Sequence, residues 1–320
     1  MKIHFALASC LVSTVLWASF SEPPRIEYAS GYRNDRLHWH LQNPGDDGKL
    51  LYSEVAKNLQ FWENAATFTV YHRDLYLFLS GSYAAFGQRG SVRQRYADLS
   101  YASNQPRFTF TPNGWAADGS GRFGYCINLT DGRLYKVLLI PFIGGSVHYE
   151  SLQRKHPTPS LEESSDAIGA SFYTMSSQLP GRLQLTWYGF LLGGAFHIDP
   201  GSRLILDAGY YYSWLHLHFH THYANEVSLG PPLFTHQNTS YSIKAKTGGN
   251  LGHTGWAKLS CRIDQAWQAG LGAQMNYFVS RDVDAKNSAH ALTQPSIKTT
   301  EKLKIRWTVV SGWATLSRSF

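Results

Sequence analysis

The sequence is poor in charge: Asp, Glu, Lys and Arg make up 16% of its 320 residues, against about a quarter in a typical soluble domain. It has three cysteines, too few for a disulfide-rich secreted scaffold. Beyond its first twenty residues it lacks any apolar run of the ~20 residues that a membrane-spanning helix needs, and its mean hydropathy is −0.28. These absences exclude a helical transporter, a coiled coil and a disordered chain.

Aromatic residues and glycine are abundant instead, with 10 Trp, 19 Tyr, 17 Phe and 28 Gly. This composition is typical of an aromatic-rich globular protein or of a membrane β-barrel. The formal net charge of +7 indicates contact with acidic groups without identifying them. The length suits one large domain or two small ones.

The first 21 residues predict a cleaved secretory signal, which assigns residues 22–320 to one mature domain. A positive start precedes an apolar segment that ends at Trp17, and Ala18 supplies a small residue before the cleavage site. Cys10 ends a Leu-Ala-Ser-Cys sequence that looks like a lipoprotein box. The apolar run continues past it, so the secretory signal is the preferred interpretation.

Long segments alternate with a period of two, which indicates β-strands. Arg203 to Trp214 is the clearest, and Tyr135 to Tyr149 and Tyr188 to Ile198 repeat the pattern. Such strands have about 11 to 15 residues, whereas soluble strands average about 5–6 and membrane-crossing strands need about 9–11. An apolar face of this length, ended by aromatic residues, suits lipid better than a soluble core. The predicted aromatic girdle consists of Tyr135, Tyr149, Tyr188, Tyr212 and Trp214.

Tight and long connections alternate along the chain. This order predicts an all-β fold: a ten-stranded antiparallel transmembrane β-barrel with five long external loops and four short periplasmic turns. The predicted strands are residues 24–42, 50–71, 75–87, 120–129, 134–152, 181–198, 203–217, 240–263, 267–280 and 302–319. The predicted external loops are residues 43–49, 87–119, 153–180, 216–239 and 281–301. The alternative, a soluble β-sandwich, predicts shorter strands and no strict alternation of connection lengths.

Several short motifs resemble those of a known family. They are Gly31-Tyr32-Arg33-Asn34-Asp35 with Trp39 nearby, Ser53-Glu54-Val55, Phe142 to Glu150, Trp187-Tyr188-Gly189 and Tyr212-Ser213-Trp214. Together they resemble the chlamydial outer-membrane barrel family named after the Protochlamydia outer membrane protein. The resemblance implies a ten-stranded barrel of omptin-like shape in a bacterial outer membrane, and little about activity. Lys57-Asn58-Leu59 follows Ser53-Glu54 where the family pattern has a Trp.

Four histidines repeat at every second position near the end of the seventh predicted strand: His216, His218, His220 and His222. On a strand they share one face, and they are expected to point outward just above the outer aromatic girdle. Neighbouring members are about 6.5–7 Å apart, so adjacent pairs could share a metal ion but four in line cannot converge. The alternative is an exposed rim that becomes charged below about pH 6.5.

An omptin-like protease would need an acid two residues before the rim histidine. That place reads Trp214-Leu215-His216, so no acid orients the imidazole as a general base requires. Cys126 and Cys261 are expected on opposite strand faces, and no disulfide is predicted between them. No catalytic residue is assigned, and no cofactor is expected.

Charged residues within the predicted strands are expected to line the barrel interior, where they pair across it or border a narrow polar path. They are Glu27, Arg33, Asp35, Glu54, Glu150, Asp207 and Arg262. Eight strands leave an interior that side chains fill, whereas ~16–18 leave a water channel. Ten strands therefore predict at most a narrow path.

The second predicted external loop is basic, with Arg89, Arg93, Arg95 and Arg107. Guanidinium groups bind phosphate and sulfate well, so this loop could contact lipopolysaccharide or host glycans. The expected partners are outer-membrane lipid and lipopolysaccharide, with small solutes or host-surface ligands as further possibilities. The export signal argues against nucleic acid.

The sequence favours a non-enzymatic outer-membrane barrel that forms a narrow porin-like path for small solutes or ions. The alternative is a surface-exposed structural or adhesin-like barrel that acts through its loops. An omptin-like endopeptidase is the third and least favoured function.

Overall fold

The computed structural model describes residues 22–42, 50–72, 74–86, 91–96, 107–130, 135–160, 173–174, 181–229, 236–280, 283–291 and 294–320. In these ranges no helix is long and apolar enough to cross a bilayer. The predicted export signal and residues 43–49 lie outside them. The strands are β1 (Glu22–Gln42), β2 (Leu50–His72), β3 (Leu75–Phe86), β4 (Ser91–Tyr96), β5 (Arg107–Tyr125), β6 (Ile127–Asn128), β7 (Lys136–Ser160), β8 (Tyr173–Thr174), β9 (Arg182–Asp199), β10 (Leu204–Leu229), β11 (His236–Arg262), β12 (Trp267–Val279), β13 (Val283–Ala291) and β14 (Gln294–Ser319).

These strands close into a ten-stranded antiparallel β-barrel, as the sequence predicts. The closing seam joins β1 to β14, from Arg25 opposite Ser319 to Gln42 opposite Lys302. Two of the ten positions in the barrel are each occupied by two consecutive strands. Strands β3 and β4 pair with different parts of β2, and β12 and β13 pair with different parts of β11. Closure pairs the first strand with the last, so no edge is left to lipid.

The apolar side of the strands changes at the upper aromatic girdle. On β10, Leu206 and Trp214 are exposed on the outer face, whereas Leu215, Leu217 and Phe219 above them are buried inside. Three other strands, β1, β9 and β14, invert in the same way. Below the inversion, Ile26 on β1, Phe190 on β9 and Leu316 on β14 are exposed; above it, Trp39, Trp187 and Trp307 on the same strands are fully buried. The lower half therefore presents its apolar face to lipid, and the upper half encloses a hydrophobic core as a soluble barrel does.

The strands extend further than the sequence predicted, and four predicted external loops are therefore partly wrong. Strand β4 and the first half of β5 occupy much of residues 87–119, and β13 with the start of β14 occupies most of residues 281–301. Strand β7 continues to Ser160, and β10 continues through the histidine row to Leu229. Strands of up to 27 residues greatly exceed the ~9–11 needed to cross a bilayer, so the barrel projects above the membrane.

The short connections lie at the end of the barrel where β1 starts and β14 ends, which is the periplasmic end of an outer-membrane barrel. At the turn between β9 and β10, Gly201 adopts a positive φ of 70° and its N–H donates to Asp199. Between β11 and β12, the carboxylate of Asp264 accepts from the backbone N–H of Ala266 and of Trp267. Such Asp-centred turns hold the paired strands in register.

Candidate functional site

The lower interior contains a charge cluster that joins four strands, β1, β9, β10 and β11. Lys258 on β11 donates to the Glu27 carboxylate on β1 at 2.7 Å and lies 3.5 Å from Asp207 on β10. Asp207 also pairs with Nδ1 of His197 at 2.7 Å. These four side chains are buried, and burial of charge is tolerated because each has an opposite charge or hydrogen-bonding partner.

Arg122 on β5 lies in the lower interior among aromatic rings. Its guanidinium carbon is 4.5 Å from the ring centroid of Phe78, 4.9 Å from Tyr211 and 5.3 Å from Phe142. Cation–π attraction strengthens when the cation is desolvated. This residue borders a cavity of about 160 Å³, which is also lined by the Lys258 cluster. Serine and threonine hydroxyls complete a polar wall that can hold water.

A second charge cluster crosses the interior above this cavity. Arg33 on β1 donates through Nε and Nη2 to both carboxylate oxygens of Asp35, each at 2.8 Å. It also bonds Asp118 on β5 and lies 3.8 Å from Glu63. Asp118 in turn pairs with Nδ1 of His148 on β7 at 2.7 Å. One guanidinium thus gathers three carboxylates, and Arg suits this task because its donors form a planar fork.

An aromatic layer covers the second charge cluster. The indole N–H of Trp307 donates to Asp35 at 3.3 Å, and its ring packs 5.2 Å from Phe278. Phe278 packs 6.0 Å from Trp187, and Trp39 meets Phe219 edge-on at 5.0 Å. With surrounding leucines these rings form one continuous buried cluster. The extracellular half of the lumen is therefore filled by side chains.

Most of the charged residues predicted inside are found on the inner face. Glu27, Arg33, Asp35, Glu54, Glu150 and Asp207 are all buried. Arg262 lies at the lower mouth, is partly exposed and bonds Asp199 at 2.7 Å. The partners that complete the clusters were not among the residues predicted to line the interior: Glu63, Asp118, Arg122, His148, His197 and Lys258. Their inward direction follows from strand alternation, which could have found them once β5, β9 and β11 were placed in register.

The histidine row points outward from β10, above the aromatic girdle. His216 stacks on Tyr188 at 5.3 Å, and His218 is within 3.3 Å of the Tyr188 hydroxyl. His220 is 3.4 Å from the hydroxyl of Ser242. No three His, Cys, Asp or Glu side chains come together as metal ligands in the described part of the chain. His216 faces away from the interior, so it cannot work there as an omptin-like general base.

The predicted girdle residues occupy the outer face at two levels. Tyr149, Tyr188, Tyr212 and Trp214 lie at the upper boundary, where Tyr212 and Trp214 meet edge-on at 4.8 Å. Tyr135 is exposed at the lower end, next to the start of β7. Tyrosine and tryptophan favour the membrane–water interface, so these rings mark its two sides.

The predicted basic loop does not form a single loop. Arg93 and Arg95 belong to β4 and pair with β2, and Arg107 begins β5. Arg89 lies outside the described residues. Cys126 is partly buried and Cys261 is exposed, and neither forms a disulfide within the described residues.

The fold is a closed barrel whose lower half presents an apolar face to lipid. The protein is therefore an outer-membrane β-barrel. It belongs to the family of the Protochlamydia outer membrane protein, whose model matches residues 27–320. No curated protein matches the sequence. The solved outer membrane protease OmpT of Escherichia coli has a similar fold, with a TM-score of 0.69 over 95% of this chain and 99% of that chain at 12% identity.

Two further solved barrels are more distant. The translocator domain of the autotransporter NalP of Neisseria meningitidis has a TM-score of 0.36 at 9% identity, over 100% of this chain and 95% of that chain. The toluene transporter TodX of P. putida has a TM-score of 0.31 at 9% identity, over 93% of this chain and 90% of that chain.

Proposed function

We propose that this protein is a closed, non-enzymatic barrel that acts at the cell surface through its extracellular end. The observation that carries the proposal is the filled upper lumen, where Trp39, Trp187 and Trp307 are fully buried. An aqueous solute would have to displace this core and then break the ion pairs of Arg33. The first step costs free energy because buried aromatic contacts are lost. The second step costs free energy because buried ion pairs are broken.

The same core gives the protein a rigid platform. Strands of more than twenty residues project above the membrane, and their interior is packed like that of a soluble domain. A rigid scaffold that presents variable loops is a common basis for recognition. The structural or adhesin-like function therefore has more support than the porin-like path that the sequence favoured.

The test uses cells that display the full chain at their surface. Residues 97–106 and 161–172, which connect strands at the extracellular end, are replaced together by Gly-Ser segments of equal length. We expect binding of the displaying cells to host cells or immobilised host glycans to fall at least tenfold, while folding is kept. A matched control replaces residues 131–134 at the periplasmic end. Unchanged binding after the extracellular exchange, or equal loss in the control, would contradict the proposal.

A further inference from the structure

The outer surface of the barrel becomes strongly basic directly above the upper aromatic girdle. Lys and Arg side chains point outward there from β1, β2, β9, β11, β13 and β14. Among the side chains that the structure describes at this level, Asp284 is the one outward-facing acid, and it pairs with Lys302. We call the cationic set the basic belt: Arg36, Lys57, Arg182, Lys244, Lys246, Lys286, Lys302, Lys304 and Arg306.

The belt is densest where β11 meets β10 and β13. Lys244 lies directly opposite Lys286, and on its other side it lies opposite His220. Directly opposed residues have Cβ atoms about 4.5–5.5 Å apart, and like charges so placed destabilise a sheet. Neither Lys244, Lys246 nor Lys286 forms an ion pair with any carboxylate in the described part of the chain. Anions from outside the protein would relieve this repulsion.

The neighbouring histidines respond to the same lysines. Burial and the charge of Lys246 lower the pKa of His218, and burial and the charge of Lys244 lower the pKa of His220. Both imidazoles are therefore neutral near pH 7 and can donate or accept hydrogen bonds beside the lysines. A bound anion would favour the imidazolium form and raise both pKa values.

The depth of the belt identifies the kind of anion. Tyr188, Tyr212 and Trp214 lie at the headgroup level, and the belt follows immediately above them. The outer leaflet of a bacterial outer membrane is built from a glycolipid whose lipid A sugars carry phosphate groups. Ammonium and guanidinium groups bind phosphate by short, charge-assisted hydrogen bonds. A band of cations that runs across neighbouring strands matches a layer of such headgroups.

We propose that the basic belt binds the phosphate groups of lipid A in the surrounding outer leaflet, with its strongest site at Lys244, Lys246 and Lys286. The site is on the outer surface of the barrel at the membrane boundary, separate from the lumen and from the connections at the extracellular end, so it goes beyond the proposed function. A phosphate bound at this site relieves the repulsion between Lys244 and Lys286. Lipid A should therefore stabilise the folded barrel, because a ligand that binds only the folded state shifts the folding equilibrium.

The test uses the refolded full-length mature chain in dodecyl maltoside micelles. Bisphosphorylated lipid A is titrated, and bound lipids are counted by native mass spectrometry while the thermal unfolding midpoint is followed. Dephosphorylated lipid A, phosphatidylglycerol and inorganic phosphate are titrated in parallel. We expect bisphosphorylated lipid A to bind at least tenfold more tightly than each of the three and to raise the unfolding midpoint.

The variant Lys244→Gln with Lys246→Gln removes the centre of the site. We expect it to lose at least tenfold in affinity for bisphosphorylated lipid A and to keep the folded barrel's gel mobility. The matched control Arg203→Gln with Arg318→Gln removes two exposed cations at the periplasmic end and should bind normally. Equal binding of phosphorylated and dephosphorylated lipid A, equal binding of phosphatidylglycerol, or unchanged affinity in the belt variant would each overturn the proposal. Should that variant not fold, Lys286→Gln alone provides the same comparison.

Discussion

The guanidinium of Arg33 bonds the carboxylate of Asp118 across the barrel interior, linking β1 to β5. Strands β1 and β5 are not adjacent in the sheet. This ion pair and the packed rings above it make the lumen a closed interior.

Removal of the central cation should destabilise the barrel strongly. In Arg33→Leu, the buried carboxylate of Asp35 and the partly buried carboxylate of Asp118 lose their compensating charge, and breaking a buried ion pair in this way costs about 3–5 kcal/mol. The control Arg36→Leu removes an outward-facing cation from the same strand and should change stability little. Urea unfolding of both variants in lipid vesicles measures the difference. Equal stability of the two variants would show that Arg33 is not needed to offset the buried carboxylates.

The upper core should respond to truncation as a soluble core does. Trp39 is fully buried against Phe219, so Trp39→Ala should lower the free energy of unfolding by about 3–5 kcal/mol. Trp62 is 58% exposed on the outer face, so Trp62→Ala should cost much less. Chemical unfolding monitored by circular dichroism gives both values. A larger loss for Trp62→Ala would contradict the assignment of the two faces.

Two glycines on the closing seam provide a sharp comparison. A Cβ on Gly31 would meet the carbonyl oxygen of Gly312 and the backbone of Trp313, whereas a Cβ on Gly312 finds nothing nearer than 3.9 Å. Gly31→Ala should therefore destabilise the barrel by about 1–3 kcal/mol through overpacking, and Gly312→Ala should be almost neutral. The unfolding midpoints of the two variants measure this difference in stability. Similar midpoints would mean that β1 and β14 are not as closely paired as described.

Stability should fall as the pH falls below the ordinary histidine range. The pKa values of His38, His218 and His220 are lowered in the folded barrel, each first by burial and then by neighbouring cations. The unfolded chain then binds more protons than the folded chain below about pH 6.5, so stability increases with pH through that window. Unfolding curves measured from pH 5 to 8 show whether the free energy of unfolding increases with pH.

NMR titration resolves the individual histidines in lipid-free micelles. Lys244→Gln should raise the pKa of His220, and Lys246→Gln should raise the pKa of His218, because each substitution removes the charge beside that ring. Each variant serves as the other's control. Shifts of both imidazoles by either substitution would point to a general change in structure instead.

Strand alternation predicted the ten-strand barrel and the inner face of Glu27, Arg33 and Asp207, because lipid imposes one apolar face per strand. It failed above the girdle. There the outward positions are polar, as in His216, and the inward positions are apolar, as in Leu217, so the segment reads as a polar loop when one lipid-facing pattern is assumed. The inversion of the apolar face can be recognised in the sequence only when the position of the membrane boundary is known.

The lumen clusters could be predicted only in part. Alternation places single charges inside, whereas the partnership of Arg33 with Asp118 depends on a register across four strands. The alternation of inward and outward residues along one strand does not determine which side chains meet across the barrel. The basic belt was missed for a related reason: its members are scattered through the sequence and come together only when β11, β13 and β14 are paired.

The closed lumen is tested most directly by conductance in planar bilayers. We expect the folded wild-type chain to give no stepwise channel events. A variant with Trp39→Ala, Phe219→Ala and Phe278→Ala, whose upper core is emptied, should give small events and serves as the positive control. Steady, reproducible channel events from the wild-type chain would contradict the account and restore the porin-like path.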